Sequence, residues 1–279
     1  MNHQIQILKA TGERESFDIA RLEASLARSG ATDDIAREIA EQVASDLRPL
    51  TPTTLIYQKA FRLLADKARR PAARYSLRKA IHALGPTGFP FEELIAEMYR
   101  NKGYNAKRGI FITGKCAPHE IDVLAIKDGV AEAVEAKFHN QSGIKSDLKV
   151  ALYVKARFED IMGTVVSFDG EKVSARISDT YLITNTKFSS TAINYAECAG
   201  LKLIGWNYPE HHNLHDLIEE YNVHPVTSLR KLSDANKRQL LQQGIIFIRQ
   251  IQENPKILST LGFGDIMSQS ILEEIKSIL

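Results

Sequence analysis

Two short apolar runs separated by a tight turn constrain the fold of this chain more than any other feature. Residues 121–126 (IDVLAI) and 131–138 (AEAVEAKF) have the length and composition of β-strands. The intervening Lys127-Asp128-Gly129 has the composition of a hairpin turn. We therefore predict two antiparallel strands, with the start of the first lying beside the end of the second.

The segments around this hairpin alternate between helical and extended patterns. Apolar residues at helical spacing predict a helix from Phe91 to Lys102, which Gly103 ends. Further strands are predicted near 109–112, 173–177, 180–184 and 201–205, and further helices near 146–162 and 189–199. This alternation predicts an α/β domain with a mixed sheet over residues 88–206.

The two flanking segments differ from this middle domain. Residues 1–85 predict a small α+β unit, in which strands at 3–8 and 15–17 precede four helices, the first capped by Asp18. After Trp206 the pattern is entirely helical, with segments at 213–221, 233–243, 245–253, 255–261 and 265–278. The predicted domains are therefore 1–85, 88–206 and 207–279.

Composition is ordinary for a globular chain and excludes few functions. Of the 279 residues, 44% are hydrophobic and 25% are charged, and the longest apolar runs are far too short to cross a bilayer. Two cysteines are too few for a disulfide framework, so we expect reduced thiols and a cytoplasmic protein. A net charge of +2 does not by itself indicate nucleic-acid binding.

Asp122, Glu135 and Lys137 form the pattern with the most chemical content. Because side chains alternate along a strand, Glu135 and Lys137 lie on one face, and the hairpin brings Asp122 beside Glu135. Adjacent carboxylates raise each other's pKa unless a hard cation lies between them, which indicates Mg²⁺ or Mn²⁺. Such a lysine can orient or deprotonate the attacking water. A solvent-facing hairpin with an ordinary acid–base pair is the alternative.

Four blocks of the middle domain, in order, resemble the core of the Mrr-type restriction endonucleases of the PD-(D/E)XK superfamily. They are FEELIAEMYRNKGYNAK, HEIDVLAI, AVEAKFH and YLITNTKFSSTAINYAECAGLKLIGW. The resemblance implies a restriction-endonuclease-like fold in which Asp122 and Glu135 bind the metal and Lys137 is catalytic. It also implies that Glu92 helps hold the metal or a water, with Glu93 and Glu97 as weaker substitutes.

The approach to Asp122 departs from that family. A glycine-rich stretch is usual there, whereas this chain has Pro118-His119-Glu120. Glu120 is two residues before Asp122 and is either an additional ligand or a solvated charge. His119 and His139 flank the site, and we expect them simply to be exposed.

Two further segments are candidates for DNA contact. The helix after the hairpin carries Lys149, Lys155 and Arg157, which can bind phosphates, although a charged helix face is often only solvated. The C-terminal LSTLGFGDIMSQSILEEI resembles a helix-hairpin-helix element. Its Gly262 and Gly264 would let backbone N–H groups approach a phosphate, while plain helix packing is the alternative.

Residues 3–85 resemble the ATP-cone, a small nucleotide-sensing domain, through IQILKATGERESFDIARLEASL, LIYQKAFRLL and ARYSLRKAI. The resemblance implies binding of ATP or dATP by Lys9, Glu15, Phe17 and Arg21. A domain that keeps this fold but has lost its ligand is the alternative.

Together these features predict a Mg²⁺-dependent DNA endonuclease regulated by an adenine nucleotide, with DNA as its partner and no membrane association. The sequence leaves open a homo-oligomer, a nucleotide-sensing DNA-binding regulator that does not cleave, and a nuclease acting on RNA or branched DNA. It does not determine substrate preference, or whether ATP activates or inhibits.

Overall fold

A computed structural model describes residues 5–9, 12–141, 143–168 and 174–279. By their contacts the described residues divide into two compact units, one within Met1–Lys79 and Phe263–Leu279 and one within Ala80–Gly262. No helix in these described ranges is long and apolar enough to cross a membrane.

The N-terminal part of the chain begins with two short strands, as its alternating pattern predicts. Its elements are β1 (Gln6–Leu8), β2 (Arg14–Ser16), α1 (Ile19–Arg28), α2 (Asp33–Ser45), β3 (Thr51–Pro52), α3 (Thr53–Lys67) and α4 (Arg69–His82). Asp18 caps α1 by accepting hydrogen bonds from the backbone N–H groups of Ala20 and Arg21, which confirms the predicted helix start. The part of the first predicted strand at residues 3 and 4 lies outside the described residues.

The pattern of two strands followed by four helices missed β3. This strand has only two residues, and it pairs in parallel with β1, which also pairs antiparallel with β2. So short a strand has no periodicity of its own, and it forms because the chain between α2 and α3 passes the free edge of β1. Apolar residues of α1, α2 and α3, including the fully buried Leu26, Ile39 and Leu64, form the core of this unit.

The larger unit contains the predicted α/β domain. Its first elements are α5 (Phe89–Asn101), β4 (Asn105–Thr113), β5 (Pro118–Lys127), β6 (Val130–Lys137), β7 (Lys145–Ser146) and α6 (Leu148–Ile161). They are followed by β8 (Val165–Val166), β9 (Ala175–Thr184), β10 (Lys187–Phe188), α7 (Ser190–Ala199) and β11 (Lys202–Ile204).

One mixed sheet organises this domain in the order β11-β9-β6-β5-β4, with β8 also paired to β9. The β4–β5 and β5–β6 pairs are antiparallel, while β6 and β11 are both parallel to β9. The predicted mixed α/β fold is therefore confirmed. The two strands predicted at 173–177 and 180–184 are one continuous strand, since β9 is stabilised by neighbours on both sides; residue 173 itself lies outside the described residues.

The sheet is covered by helices on both faces. Alternation along β6 directs Ala133 into a core shared with α6 and α7, and directs the buried Glu132 towards α5. There the hydroxyl groups of Tyr99 and Tyr104 each donate a 2.8 Å hydrogen bond to the Glu132 carboxylate. This arrangement leaves the β5–β6 hairpin central and positions its ends at one edge of the domain.

The remainder of the chain is helical, as predicted. Its elements are α8 (Leu214–Glu220), a short 3-10 helix (Val226–Ser228), α9 (Asp234–Gln242), α10 (Ile248–Glu253), α11 (Lys256–Thr260) and α12 (Asp265–Ile278). The predicted division at 85–88 and 206–207 remains a prediction. By its contacts, however, α12 groups with the N-terminal unit, and its apolar side is buried at Ile271, Ile275 and Ile278.

Candidate active site

The β5–β6 hairpin brings the two predicted metal-binding carboxylates together. Asp128 and Gly129 both have positive φ, 51° and 77°, as a two-residue hairpin turn of type I′ requires. The register pairs Val123 with Val134, so the next positions outward are Asp122 and Glu135. Asp122 Oδ2 accepts a 2.7 Å hydrogen bond from the backbone N–H of Ala136. The predicted proximity of the two side chains is thus present in the fold.

Burial makes the two carboxylates costly to ionise. Burial, together with the negative charge of Asp122, raises the pKa of Glu135 to about 7. The pKa of Asp122 is also raised, mainly by burial, although the Ala136 N–H and the Arg157 charge act in the opposite direction. A positive charge placed between these groups would therefore stabilise both ionised forms.

Arg157, which was predicted to contact DNA phosphates, lies inside this site and binds the Glu135 carboxylate. Its Nη1 donates a 2.5 Å hydrogen bond to Glu135 Oε2, and its Nη2 donates to the backbone carbonyl of Glu120. The guanidinium therefore joins α6 to both β5 and β6. Of the three basic residues predicted to contact DNA, Lys149 is exposed and Lys155 pairs with Glu159 at 3.4 Å. Their DNA contacts stay a prediction.

Glu92 approaches the same carboxylates from α5. Burial raises its pKa, and the negative charge of Asp122 raises it further, whereas Arg108 at 3.6 Å lowers it. The alternatives Glu93 and Glu97 are used differently. Glu93 is paired with Arg100 and Arg108, and Glu97 is paired with Arg100 and Arg249. Glu93 and Glu97 are thus held by arginines. Among these three glutamates of α5, Glu92 is the one whose pKa is raised by the charge of Asp122.

Glu120 is exposed, and its negative charge raises the pKa of both Asp122 and Glu92. Nevertheless, among the described residues no three Asp, Glu, His or Cys side chains converge closely enough to hold a metal ion. The site is therefore centred on two carboxylates, Asp122 and Glu135. Two carboxylates with the remaining positions filled by water or phosphate suit Mg²⁺, which keeps several waters when bound.

Lys137 lies two residues beyond Glu135 on β6 and is exposed. Its positive charge lowers the pKa of Asp122 and of Glu135, so its ammonium group is within electrostatic range of both. Its backbone carbonyl accepts a 2.8 Å hydrogen bond from Thr184 Oγ1 on β9. The lysine backbone is therefore held in place while its side chain faces solvent.

The sequence interpretation missed the residues that fix the chain just after Lys137. Asn185 is fully buried, and its side chain both accepts from the backbone N–H of His139 at 2.8 Å and donates to the carbonyl of His139 at 2.7 Å. His139 Nε2 also contacts Ser146 Oγ at 3.1 Å. A run of polar residues directly after an apolar strand, as in LITNT, was the available signal.

Gly109 was missed as well. The register of β4 and β5 pairs Arg108 with Val123 and Ile110 with Ile121, which leaves Gly109 opposite Asp122. Gly109 has φ of 60°, a conformation that favours glycine, and it presents no side chain beside Asp122. A Cβ at this position would lie 3.8 Å from Glu120 Oε1, so the neighbouring group here is the Glu120 carboxylate.

The two flanking histidines are not simply exposed, contrary to expectation. His139 is half-buried with the contacts described above, and burial lowers its pKa. His119 Nε2 contacts Asp160 Oδ2 at 2.8 Å, and Asp160 also accepts from the backbone N–H groups of Cys116 and Ala117. The His119 contact, followed by these N–H groups, lowers the pKa of Asp160 to about 2. Asp160 thus fixes the β4–β5 turn.

In the N-terminal unit, three of the four predicted nucleotide-binding residues form one ion-pair cluster. Glu15 lies 3.2 Å from Lys9 Nζ and accepts a 2.5 Å hydrogen bond from Arg21 Nη1. The fourth residue, Phe17, packs against the core of this unit. Residues 10 and 11 of the adjoining turn lie outside the described residues. Nucleotide binding stays a prediction.

The two glycines predicted to approach a phosphate have different roles in the backbone. Gly262 has φ of 81°, and Gly264 is the N-cap of α12. A Cβ added at either position would have no neighbour within 4 Å. Both backbones are therefore open to approach, and their contact with DNA stays a prediction.

Comparison with known proteins identifies relatives of this chain. An uncharacterized protein of Archaeoglobus fulgidus is 32% identical over 186 residues, which cover 66% of this chain and 99% of the relative. The family model for the AF1548-like C-terminal domain matches residues 224–279, which include α9 to α12. This chain belongs to the AF1548-like family.

One solved structure agrees with this assignment. The crystal structure of AF1548, a protein of unknown function, matches the AF1548-like chain at 30% identity with a TM-score of 0.52, covering 69% of this chain and 98% of that one. The MspJI restriction endonuclease in complex with a 27-mer oligonucleotide matches at 14% identity with a TM-score of 0.37, covering 62% of this chain and 36% of that one.

Proposed function

We propose that the AF1548-like chain is a metal-dependent endodeoxyribonuclease that hydrolyses phosphodiester bonds in DNA. The observation that carries this proposal is the adjacency of Asp122 and Glu135 across the hairpin, with Lys137 two residues further along the same strand. Two acidic side chains and a lysine, brought together by neighbouring strands, provide the groups that metal-assisted phosphodiester hydrolysis needs.

The orientation of the two carboxylates supports a cation site. Asp122 Oδ2 is bound by the Ala136 N–H, and Glu135 Oε2 is bound by Arg157. Within the described residues, Asp122 Oδ1 and Glu135 Oε1 have no protein hydrogen-bond donor. Each side chain is therefore fixed by one oxygen and has the other available for Mg²⁺ or Mn²⁺. The pKa of Glu135 is raised to about 7, as expected for a buried carboxylate beside another carboxylate when no cation is bound between them.

Each remaining group has a specific task in this proposal. Bound Mg²⁺ would polarise the phosphate and lower the pKa of a coordinated water. Lys137, with its exposed ammonium group, orients the attacking water or takes its proton and offsets negative charge on the pentavalent phosphorus. Glu92 holds a further water through its carboxylate, at the side of Asp122 facing α5.

DNA contacts outside the centre complete the proposal. Lys149 and Lys155 on α6 bind backbone phosphates on the approach to the site, and Arg157 stays on Glu135. Backbone N–H groups near Gly262 and Gly264 contact a phosphate elsewhere on the chain, which their open surroundings allow. Sequence-independent phosphate contacts of this kind would make binding weaken as salt rises.

Regulation by ATP or dATP forms the second part of the proposal. Lys9 and Arg21 supply two positive charges for a triphosphate, Glu15 holds them in place, and Phe17 supports the strand that carries them. A coupling free energy on the order of 1–3 kcal/mol between this ligand and the DNA substrate would change activity several-fold.

A nicking assay on supercoiled plasmid tests cleavage directly. The wild type should nick the plasmid with Mg²⁺ or Mn²⁺ and not with Ca²⁺, and Asp122→Asn should lose the activity. Lys127→Ala, at the far end of the same hairpin, is the matched control and should cleave normally. A wild type that binds DNA but cleaves neither plasmid nor single-stranded DNA would instead support a DNA-binding regulator without catalysis.

A further inference from the structure

Exposed aromatic side chains are rare in this protein, and each of them lies near a charged residue of the candidate active site. Eleven phenylalanines, nine tyrosines and one tryptophan are present, all among the described residues. Only three are exposed: Phe89 by 55%, Phe111 by 73% and Tyr153 by 62%. Leaving such rings in water forgoes hydrophobic free energy, so exposed rings beside a candidate active site indicate a ligand with flat apolar surfaces.

Tyr153 is connected to the candidate active site through Arg157. The two residues are one turn apart on α6, and the guanidinium lies 5.4 Å from the centroid of the tyrosine ring. The same guanidinium donates the 2.5 Å hydrogen bond to Glu135. The exposed ring therefore borders the carboxylate pair on the side of α6.

Phe89 has an equivalent connection on the side of α5. The Arg108 guanidinium lies 3.8 Å from the centroid of the Phe89 ring and 3.6 Å from the Glu92 carboxylate. An arginine thus lies between an exposed ring and a candidate catalytic carboxylate here as well. The two arginine–aromatic pairs are independent, since one joins α5 to β4 and the other lies within α6.

Phe111 borders the site along β4. It lies directly across from Glu120 in the β4–β5 register, and residues opposite each other in an antiparallel pair have side chains on the same face. Asp122 is two residues from Glu120, and its own cross-strand neighbour is Gly109. No side chain of β4 therefore lies directly across from Asp122, and the next ring along the edge is that of Phe111.

From these three rings we infer that the site takes DNA in single-stranded form, with unpaired bases stacked on Phe89, Phe111 and Tyr153. This inference rests on the proposed nuclease function and specifies its substrate class. In a duplex the base faces are covered by neighbouring base pairs, so the rings would find no partner. Unpaired bases offer a free face, and aromatic stacking is tolerant of sequence.

The charges around the rings suit the same ligand. Arg108 and Arg157 are each close to a ring, and the exposed Lys137 adds a third cation at the carboxylate pair. A strand bound with its bases on the rings places its phosphates near these cations. The negative charge of the phosphates would in turn offset the combined positive charge of these three side chains and of a bound metal ion.

Fluorescence anisotropy with a short labelled single strand and its duplex tests the inference, using the full chain with Ca²⁺ to prevent cleavage. The wild type should bind the single strand at least tenfold more tightly. Tyr153→Ala and Phe111→Ala should each weaken binding of the single strand roughly tenfold and leave binding of the duplex unchanged. Leu152→Ala, also exposed on α6, is the matched control and should have no effect.

A second measurement reports stacking itself. A single strand containing 2-aminopurine should lose fluorescence when it binds the wild type or Tyr153→Phe, and should lose less with Tyr153→Ala. Equal affinity of the wild type for both DNA forms would overturn the inference. So would losses of affinity in the aromatic variants that match Leu152→Ala.

These outcomes are distinguishable from failure of the proposed function. A protein that nicks duplex plasmid in an Asp122-dependent manner without preferring single strands would retain the nuclease function and lose this substrate assignment. A protein that binds single strands through the rings but cleaves no DNA would lose the nuclease function and retain the stacking surface.

Discussion

The guanidinium of Arg157 lies 2.5 Å from the carboxylate of Glu135, and both side chains are largely shielded from water, with exposures of 14% and 16%. An arginine on a predicted metal ligand has two consequences. It favours the ionised form of Glu135 against the effect of burial, and it fixes which of the two carboxylate oxygens faces the open side of the site. Stability and metal binding are therefore linked at this residue.

Removing that arginine should destabilise the fold. Arg157→Met leaves a buried carboxylate without its partner, and we expect a loss of about 2 kcal/mol in the free energy of unfolding at neutral pH. Adding Glu135→Gln to the same chain should restore most of this loss. Urea denaturation of the wild type, both single variants and the double variant measures the coupling; additive effects would mean that the contact has no energetic role.

Lys137 should matter for catalysis and not for folding. Because its ammonium group is exposed and its backbone is held by Thr184, Lys137→Ala should keep the same thermal stability. We expect plasmid cleavage to fall by about 100-fold or more, on the scale of losing one transition-state contact. DNA binding measured in Ca²⁺ should persist, and near-normal cleavage by Lys137→Ala would remove the role assigned to this lysine.

Asp160 should contribute stability that depends on pH. Its pKa is about 2 in the folded protein and about 4 in an unfolded chain, so its contribution is present above about pH 4 and is lost as pH falls towards 2. Asp160→Asn should therefore melt at a lower temperature than the wild type near pH 6, and the difference should narrow below pH 4. Glu159→Gln, its exposed neighbour, is the control; a difference constant with pH would contradict this prediction.

Adenine nucleotide should bind the N-terminal unit. Calorimetric titration of ATP into the wild type should give measurable heat, and the double variant Lys9→Ala, Arg21→Ala should bind at least tenfold more weakly because both triphosphate contacts are lost. Arg37→Ala, an exposed arginine of the same unit, should bind as the wild type does. No heat from the wild type at millimolar ATP would indicate that this unit has kept its fold without a ligand.

Some parts of this protein follow from local sequence alone. The hairpin turn at Asp128 and Gly129, the cap of α1 at Asp18 and the five helices after Trp206 each depend on residues within a few positions of one another. Turn chemistry, capping and helical periodicity are local effects, and so is the alternation that sets Glu135 and Lys137 on one face. These were predictable for that reason.

Other features depend on contacts between segments distant in the chain. Thr51–Pro52 forms a strand because it pairs with the edge of β1. The two strands predicted at 173–177 and 180–184 form one strand, β9, because β9 has pairing partners on both sides. Three neighbour relationships in the candidate site also join distant segments. They are Arg157 with Glu135, Asn185 with His139, and Gly109 beside Asp122. The sequence by itself determined the carboxylate pair and its lysine, because a hairpin is a local structure. Only the tertiary structure decided that Arg157 binds Glu135 and that Asn185 fixes the backbone after Lys137. It also decided which exposed rings lie near the carboxylate pair. These neighbours come from other segments of the chain, and the packing of α5, α6 and β4 against the hairpin brings them there.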